Sequence, residues 1–185
     1  YQMNCDFGAY SGTAYPGSIA TIHYPDEGYP WIGIAGVGAL GCTIGMNNEG
    51  LISALQYAPI SFSPETETNF GMEAAQILYA TLRKCKTKKE AVDFFNSVPK
   101  SMGQNYLFMD PSGNPTIIES SGNPDHQAVR VAGDFEEKDF VVMTNHWLTK
   151  EWKDWGYPDK AWMNLSTWYR YNTLFKKLQQ NLGAI

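Results

Sequence analysis

Cysteine is scarce in this chain and scattered. Only Cys5, Cys42 and Cys85 occur, with no CxxC spacing and no Cys/His cluster, so neither a disulfide framework nor a zinc site is indicated. Basic runs are missing as well: 14 Lys and Arg against 19 Asp and Glu leave a net charge of −5, and no stretch could neutralise a phosphate backbone. Nucleic acid is therefore not an expected partner. No apolar window reaches the roughly 20 residues that a membrane-spanning helix needs. There is no internal repeat and no low-complexity segment. The compartment stays open between cytoplasmic and secreted, and self-assembly into a homo-oligomer is compatible with this composition.

What is present is enough for a core. With 185 residues, 43% hydrophobic and 14% aromatic, the chain reads as a single domain over 1–185. SIATIHY at 18–24 alternates apolar and polar residues and ends at the turn-forming PDEG, which predicts a strand and a turn. A second strand is expected at 31–35. The segments 41–46 and 51–57 flank NNEG as a hairpin, with Gly50 free to take a positive φ. Phe70, Ala74, Ile77, Leu78 and Leu82 then recur at the spacing of one helix face. Thr87 and Glu90 form the capping box of a second helix carrying Ala91, Phe94, Phe95 and Val98.

The period returns to two at 106–109 and 116–120, around the turn-rich DPSGNP, and two more strands are expected at 127–131 and 140–144. Ser166 would cap a last helix whose Tyr171, Leu174, Phe175, Leu178 and Leu182 face inward and which stops at Gly183. Strands, two helices, strands and one helix predict an α+β fold of antiparallel sheet with segregated helices. Between 146 and 168 lie five of the six Trp residues, in a loop too aromatic to be a linker.

Candidates for chemistry are few. Cys42 together with His146 and Asn145 could form a thiol hydrolase, in which His makes the thiolate. A small thiol inside an apolar strand is more commonly just buried. Cys85, between Lys84 and Lys86, is expected at the surface. Asp6, in the opening YQMNCDF, must be hydrogen-bonded or paired if buried. Gln56 stands on one strand face with Ile52 and Ala54, turned either to solvent or into a site. Asn145 ends a strand, where a side-chain amide can donate to an oxyanion or cap a turn. Arg170, in the first turn of the last helix, opposes the helix dipole and calls for a partner. Trp147, Trp152, Trp155, Trp162 and Trp168 could line an acyl pocket, form the platform of a non-catalytic ligand-binding module, or simply pack the loop.

Several segments, in order, resemble the cysteine-type N-terminal-nucleophile (Ntn) hydrolases: the choloylglycine hydrolases, the isopenicillin N acyltransferase family and related linear-amide hydrolases. They are PDEGYP at 25–30 with GMNNEGL at 45–51, NYLFMD at 105–110 with IES at 118–120, and TNH at 144–146. The resemblance covers nearly the whole chain. It implies a four-layer αββα sandwich and hydrolysis or acyl transfer at linear amide C–N bonds, through an N-terminal Cys whose own α-amine is the general base. No metal or organic cofactor is implied.

NCDF at 4–7 is similar to the end of the family's R-N-x-D motif, with Met3 in place of its Arg. Asp6 would then hold the nucleophile. Gln56, or its neighbour Tyr57, would stand at the oxyanion hole with Asn145. Arg170 would pack beside the nucleophile with Asp6 as its partner, while Tyr57, His146, Trp147 and Trp168 would meet the small-molecule amide substrate. None of the three cysteines fits the nucleophile position. The resemblance places that Cys upstream of Tyr1, in an autoprocessed segment of the same protein, and expects further strands beyond the last helix; the chain as it stands would be inactive.

Overall fold

The computed structural model describes residues 18–36, 41–58, 70–132, 140–154 and 165–181. Met3, Cys5, Asp6, Trp155, Trp162, Leu182 and Gly183 lie outside the described residues. Four strands come first, β1 (Ser18–His23), β2 (Trp31–Gly36), β3 (Ile44–Asn47) and β4 (Ile52–Tyr57). Helices α1 (Ala74–Lys84) and α2 (Lys88–Ser97) follow, then β5 (Gln104–Met109), β6 (Thr116–Ser120) and β7 (Gln127–Val131). A short helix α3 (Glu151–Asp154) and a long α4 (Leu165–Gln180) complete the order. The seven strands form one sheet in strict sequence order, and every neighbouring pair is antiparallel. The predicted α+β class with antiparallel sheet is the observed one.

The β3–β4 hairpin shows why GMNNEGL has its composition. Gly50 sits at φ +84°, a conformation that side chains rarely adopt. A Cβ on Gly45 would come within 2.7 Å of the Ile32 carbonyl and 2.5 Å of Leu82 Cδ1, so only glycine lets α1 lie this close. Asn47, 3% exposed, joins the two elements. Its Nδ2 donates to the carbonyls of Leu82 and Cys85 at the end of α1, at 2.9 and 2.8 Å, while its Oδ1 accepts from the amides of Glu49 and Leu51. Helix-end carbonyls that would otherwise lack partners are thereby satisfied.

Alternation along the strands gives the sheet two apolar faces. Tyr106, Phe108 and Ile118 face α1 and α2, packing with Ile77, Leu78, Leu82 and Phe95. Ala54, Leu107 and Ile117 face the other way and are covered by Val141 and Met143. The segment 140–144 therefore has the predicted period of two, but among the described residues it joins no ladder; it lies across the sheet face instead of extending an edge. Helix α4 packs on that segment, with Phe175 5.5 Å from Phe140.

Three local expectations are corrected. Phe70 is not on a helix face but 99% exposed, because Glu73 starts α1: its side chain accepts from Ala75 N while Gln76 reaches back to Glu73 N. Cys85 is 4% exposed rather than at the surface, since Asn47 draws the chain end inward at its carbonyl. On α4 the buried face runs through Thr167 and Tyr171 to the partly buried Phe175 and Leu178, leaving Leu174 47% exposed.

Candidate active site

Three polar side chains cross the second sheet face in one row, because their backbones are partners in register: Gln56 with Asn105, and Asn105 with Glu119. Each meets the segment that follows Thr144. Asn105, 1% exposed, donates both Nδ2 hydrogens, to the carbonyls of Thr144 at 2.9 Å and His146 at 3.0 Å. Glu119, with no exposed surface, accepts from the amides of Leu148 and Thr149, from the Thr149 hydroxyl and from Trp152 Nε1, all between 2.9 and 3.2 Å. Arg130 Nε lies 3.5 Å from the same carboxylate, and its Nη2 donates to the Val142 carbonyl at 2.7 Å. A buried charge needs this degree of pairing.

Asn145 stands where the row meets the end of β4. Its Nδ2 donates to the Tyr57 carbonyl at 2.6 Å and approaches Gln56 Oε1 at 3.4 Å. Its Oδ1 accepts from Arg170 Nη2 at 2.8 Å, and its backbone amide donates to the Thr167 hydroxyl at 2.9 Å. A guanidinium on the amide oxygen draws electron density away and makes the N–H groups stronger donors. One of them is committed to Tyr57. Among the described residues the other has only the long contact to Gln56, which an incoming oxygen could displace.

Gln56, Asn145, Arg170 and the main chain of Tyr57 are thus brought together by β4, the 144–149 turn and α4. The Arg170 side chain is held there by Asn145 and, at 3.4 Å, by the Ser166 hydroxyl one helical turn earlier. The phenol of Tyr57 is half-buried, which raises its pKa. Trp168, also half-buried, stacks on His146 with ring centroids 4.0 Å apart. His146 and Trp147 are each 2% exposed and offer solvent almost no surface. His146 Nδ1 lies between the hydroxyls of Thr144 and Thr167, at 3.0 and 2.8 Å. Trp147 stacks on Trp152 at 3.5 Å, in a small core with Ala58 and Ala128. Asp6 lies outside the described residues.

Cys42 and His146 are on opposite sides of the sheet. Cys42 is 1% exposed among Trp31, Leu82 and the rest of the helix-side core, and burial pushes its thiol up to about 12. Burial likewise raises Cys85 to about 11. Among the described residues no group of three or more His, Cys, Asp or Glu could hold a metal ion, and no helix is long and apolar enough to cross a membrane.

Asn105, Glu119 and Thr167 are site residues that sequence reasoning passed over. The available signal was polarity out of place: Asn105 heads the apolar YLFM, and Glu119 interrupts IIES.

The fold is that of the Ntn hydrolases. The solved N-acylethanolamine-hydrolyzing acid amidase ortholog of Caenorhabditis elegans matches with a TM-score of 0.59 at 17% identity, over 90% of this chain and 67% of that one. A family model described as acyl-coenzyme A:6-aminopenicillanic acid acyl-transferase matches residues 4–184, and the chain belongs to that family. Similarity extends to penicillin V acylase from Agrobacterium tumefaciens, at 21% identity and a TM-score of 0.45 over 63% of this chain and 36% of that one. It extends also to a variant of conjugated bile acid hydrolase from Clostridium perfringens, at 15% identity and a TM-score of 0.48 over 69% of this chain and 41% of that one. The chain therefore spans well under half the length of these last two. No curated protein matches it.

Proposed function

We propose that the complete protein cleaves, or transfers the acyl group of, a linear amide through an N-terminal Cys encoded upstream of Tyr1. Cys42 and Cys85 are poor rivals for that role, being buried under the helices with thiols held protonated. The thiolate attacks the amide carbonyl, its α-amine serves as general base at the near-neutral pKa of about 7.7 to 8.0 usual for that group, and Asp6 holds the catalytic terminus. The developing oxyanion receives the second N–H of Asn145, with the amide of Gln56 beside it. The amine product leaves, and water or another amine takes the acyl group from the thioester. Tyr57 and Trp168 supply the substrate-facing surface, while His146 and Trp147 back the turn from inside. Residues 1–185 alone are inactive in this reading.

The observation that carries it is the arrival of Gln56, Asn145 and Arg170 from three separate elements at one amide, whose remaining N–H is held, among the described residues, by a single 3.4 Å contact. In the complete protein, assayed against a panel of acyl p-nitroanilides, Asn145→Ala should lower kcat by about 10²- to 10³-fold, the usual loss on removing one oxyanion donor. Cys42→Ala should leave turnover intact. Unchanged kcat in the first variant, or abolished turnover in the second, would overturn the proposal.

A further inference from the structure

We infer that Asn105 and Thr167 are positioning residues for Asn145, an assignment that rests on Asn145 being the oxyanion donor. A side-chain amide helps only if its N–H stands where the oxyanion forms, and an error of about 1 Å can cost about 10²-fold in rate. Arg170 and Tyr57 hold the Asn145 amide, but they act on the end of a side chain with two rotatable bonds. Its main chain must be fixed separately.

Asn105 does this from β5. Its single Nδ2 group spans the turn, gripping the carbonyl before Asn145 and the one after it. Thr167 does it from α4, its hydroxyl accepting the Asn145 backbone N–H at 2.9 Å while meeting His146 Nδ1 at 2.8 Å. Both residues are nearly inaccessible, at 1% and 2% exposure, and sit on regular elements, so the turn inherits the rigidity of the sheet and helix. Asn105 also retains a buried Oδ1 that no hydrogen bond satisfies among the described residues. What the Asn105 amide contributes to the turn is its two N–H donors, one on each side of Asn145.

The test is a double-mutant cycle in the complete protein, with kcat and KM measured on an acyl p-nitroanilide that it turns over. Thr167→Val keeps shape and removes the hydroxyl; it should lower kcat by about 10- to 100-fold with KM changed less than about 3-fold. Thr167→Ser should restore kcat to within about 3-fold of the parent. Asn105→Asp should behave like Thr167→Val, since a carboxylate would face two carbonyls. In an Asn145→Ala background, Thr167→Val should add almost nothing, because the group being positioned is gone.

If Thr167→Val lowers melting temperature but not kcat, the inference is overturned. It is equally overturned if the losses from Thr167→Val and Asn145→Ala multiply, although the donor role of Asn145 then stands. Full activity in Asn145→Ala alone overturns the donor role itself and the inference with it. Should Asn105→Asp fail to fold, the Val and Ser variants at Thr167 decide the question.

Discussion

Glu119 is a fully buried carboxylate, and among the described residues the groups that neutralise it come from β7, the 148–149 turn and α3. Removing it takes away the acceptor of four hydrogen bonds and the counter-charge of the nearly inaccessible Arg130, 2% exposed. Breaking a buried pair in this way costs about 3–5 kcal/mol, so Glu119→Ala should lower the urea midpoint of the complete protein accordingly. The two buried thiols make a second prediction. Their folded values of about 12 and about 11 exceed the ordinary 9.0 because burial disfavours the thiolate. Above pH 9 the unfolded chain releases protons that the folded chain retains, so this stability is complete below pH 9 and is lost as pH rises toward 11 to 12. Each thiol contributes a slope of up to about 1.4 kcal/mol per pH unit in that window. Thermal melts from about pH 8 to 11 should therefore fall more steeply for the parent than for a Cys42→Ala/Cys85→Ala protein.

At the scale of elements, Asn47 is the side chain that makes the most hydrogen bonds at the join between the β3–β4 hairpin and α1. Asn47→Ala removes four hydrogen bonds, each worth roughly 0.5–1.5 kcal/mol net, and should destabilise by about 3 kcal/mol with α1 exchanging its amide hydrogens faster than β5. The hairpin itself was legible in the sequence, because a turn of Asn, Glu and Gly between alternating segments has few other solutions. Helix α2 was legible too: Thr87 accepts from Glu90 N, and the Glu90 carboxylate reaches back to Lys86 N. The errors came where a local cap or a tertiary partner overrides the pattern. Phe70 fits the α1 stripe but precedes the cap that starts the helix. Cys85 looks exposed between two lysines, yet it lies at the helix end that Asn47 captures. Residues 140–144 alternate because they rest on a sheet face, and alternation alone cannot distinguish that from membership in a ladder.

For the molecule as a whole, the sheet is the divider that decides which side chains can meet. Gln56, Asn105 and Glu119 are 49 and 14 positions apart in the chain, and only strand register makes them neighbours. No local reading of the sequence could have assembled that row. Asn145 and Arg170 could be singled out beforehand as a strand-end amide and a cation at the wrong end of a helix; that they touch follows from α4 packing across the 140–147 segment. The same division predicts that Cys42 and Cys85 of the native protein should resist iodoacetamide and react only on unfolding, as mass spectrometry of the alkylated peptides would show. Rapid native labelling at either position would contradict their burial beneath α1 and α2.

The strand order β1 to β7 has one further consequence. Each of the described strands after β1 pairs with the one made just before it, so this sheet can grow at one edge in the order the ribosome delivers it. The one long pause is between β4 and β5, and the two helices made in that interval supply the apolar cover for strands already in place. The 144–149 turn emerges after its sheet footing of Gln56, Asn105 and Glu119 has been laid, and α4, arriving later with Thr167 and Arg170, closes over the candidate catalytic amide from the other side.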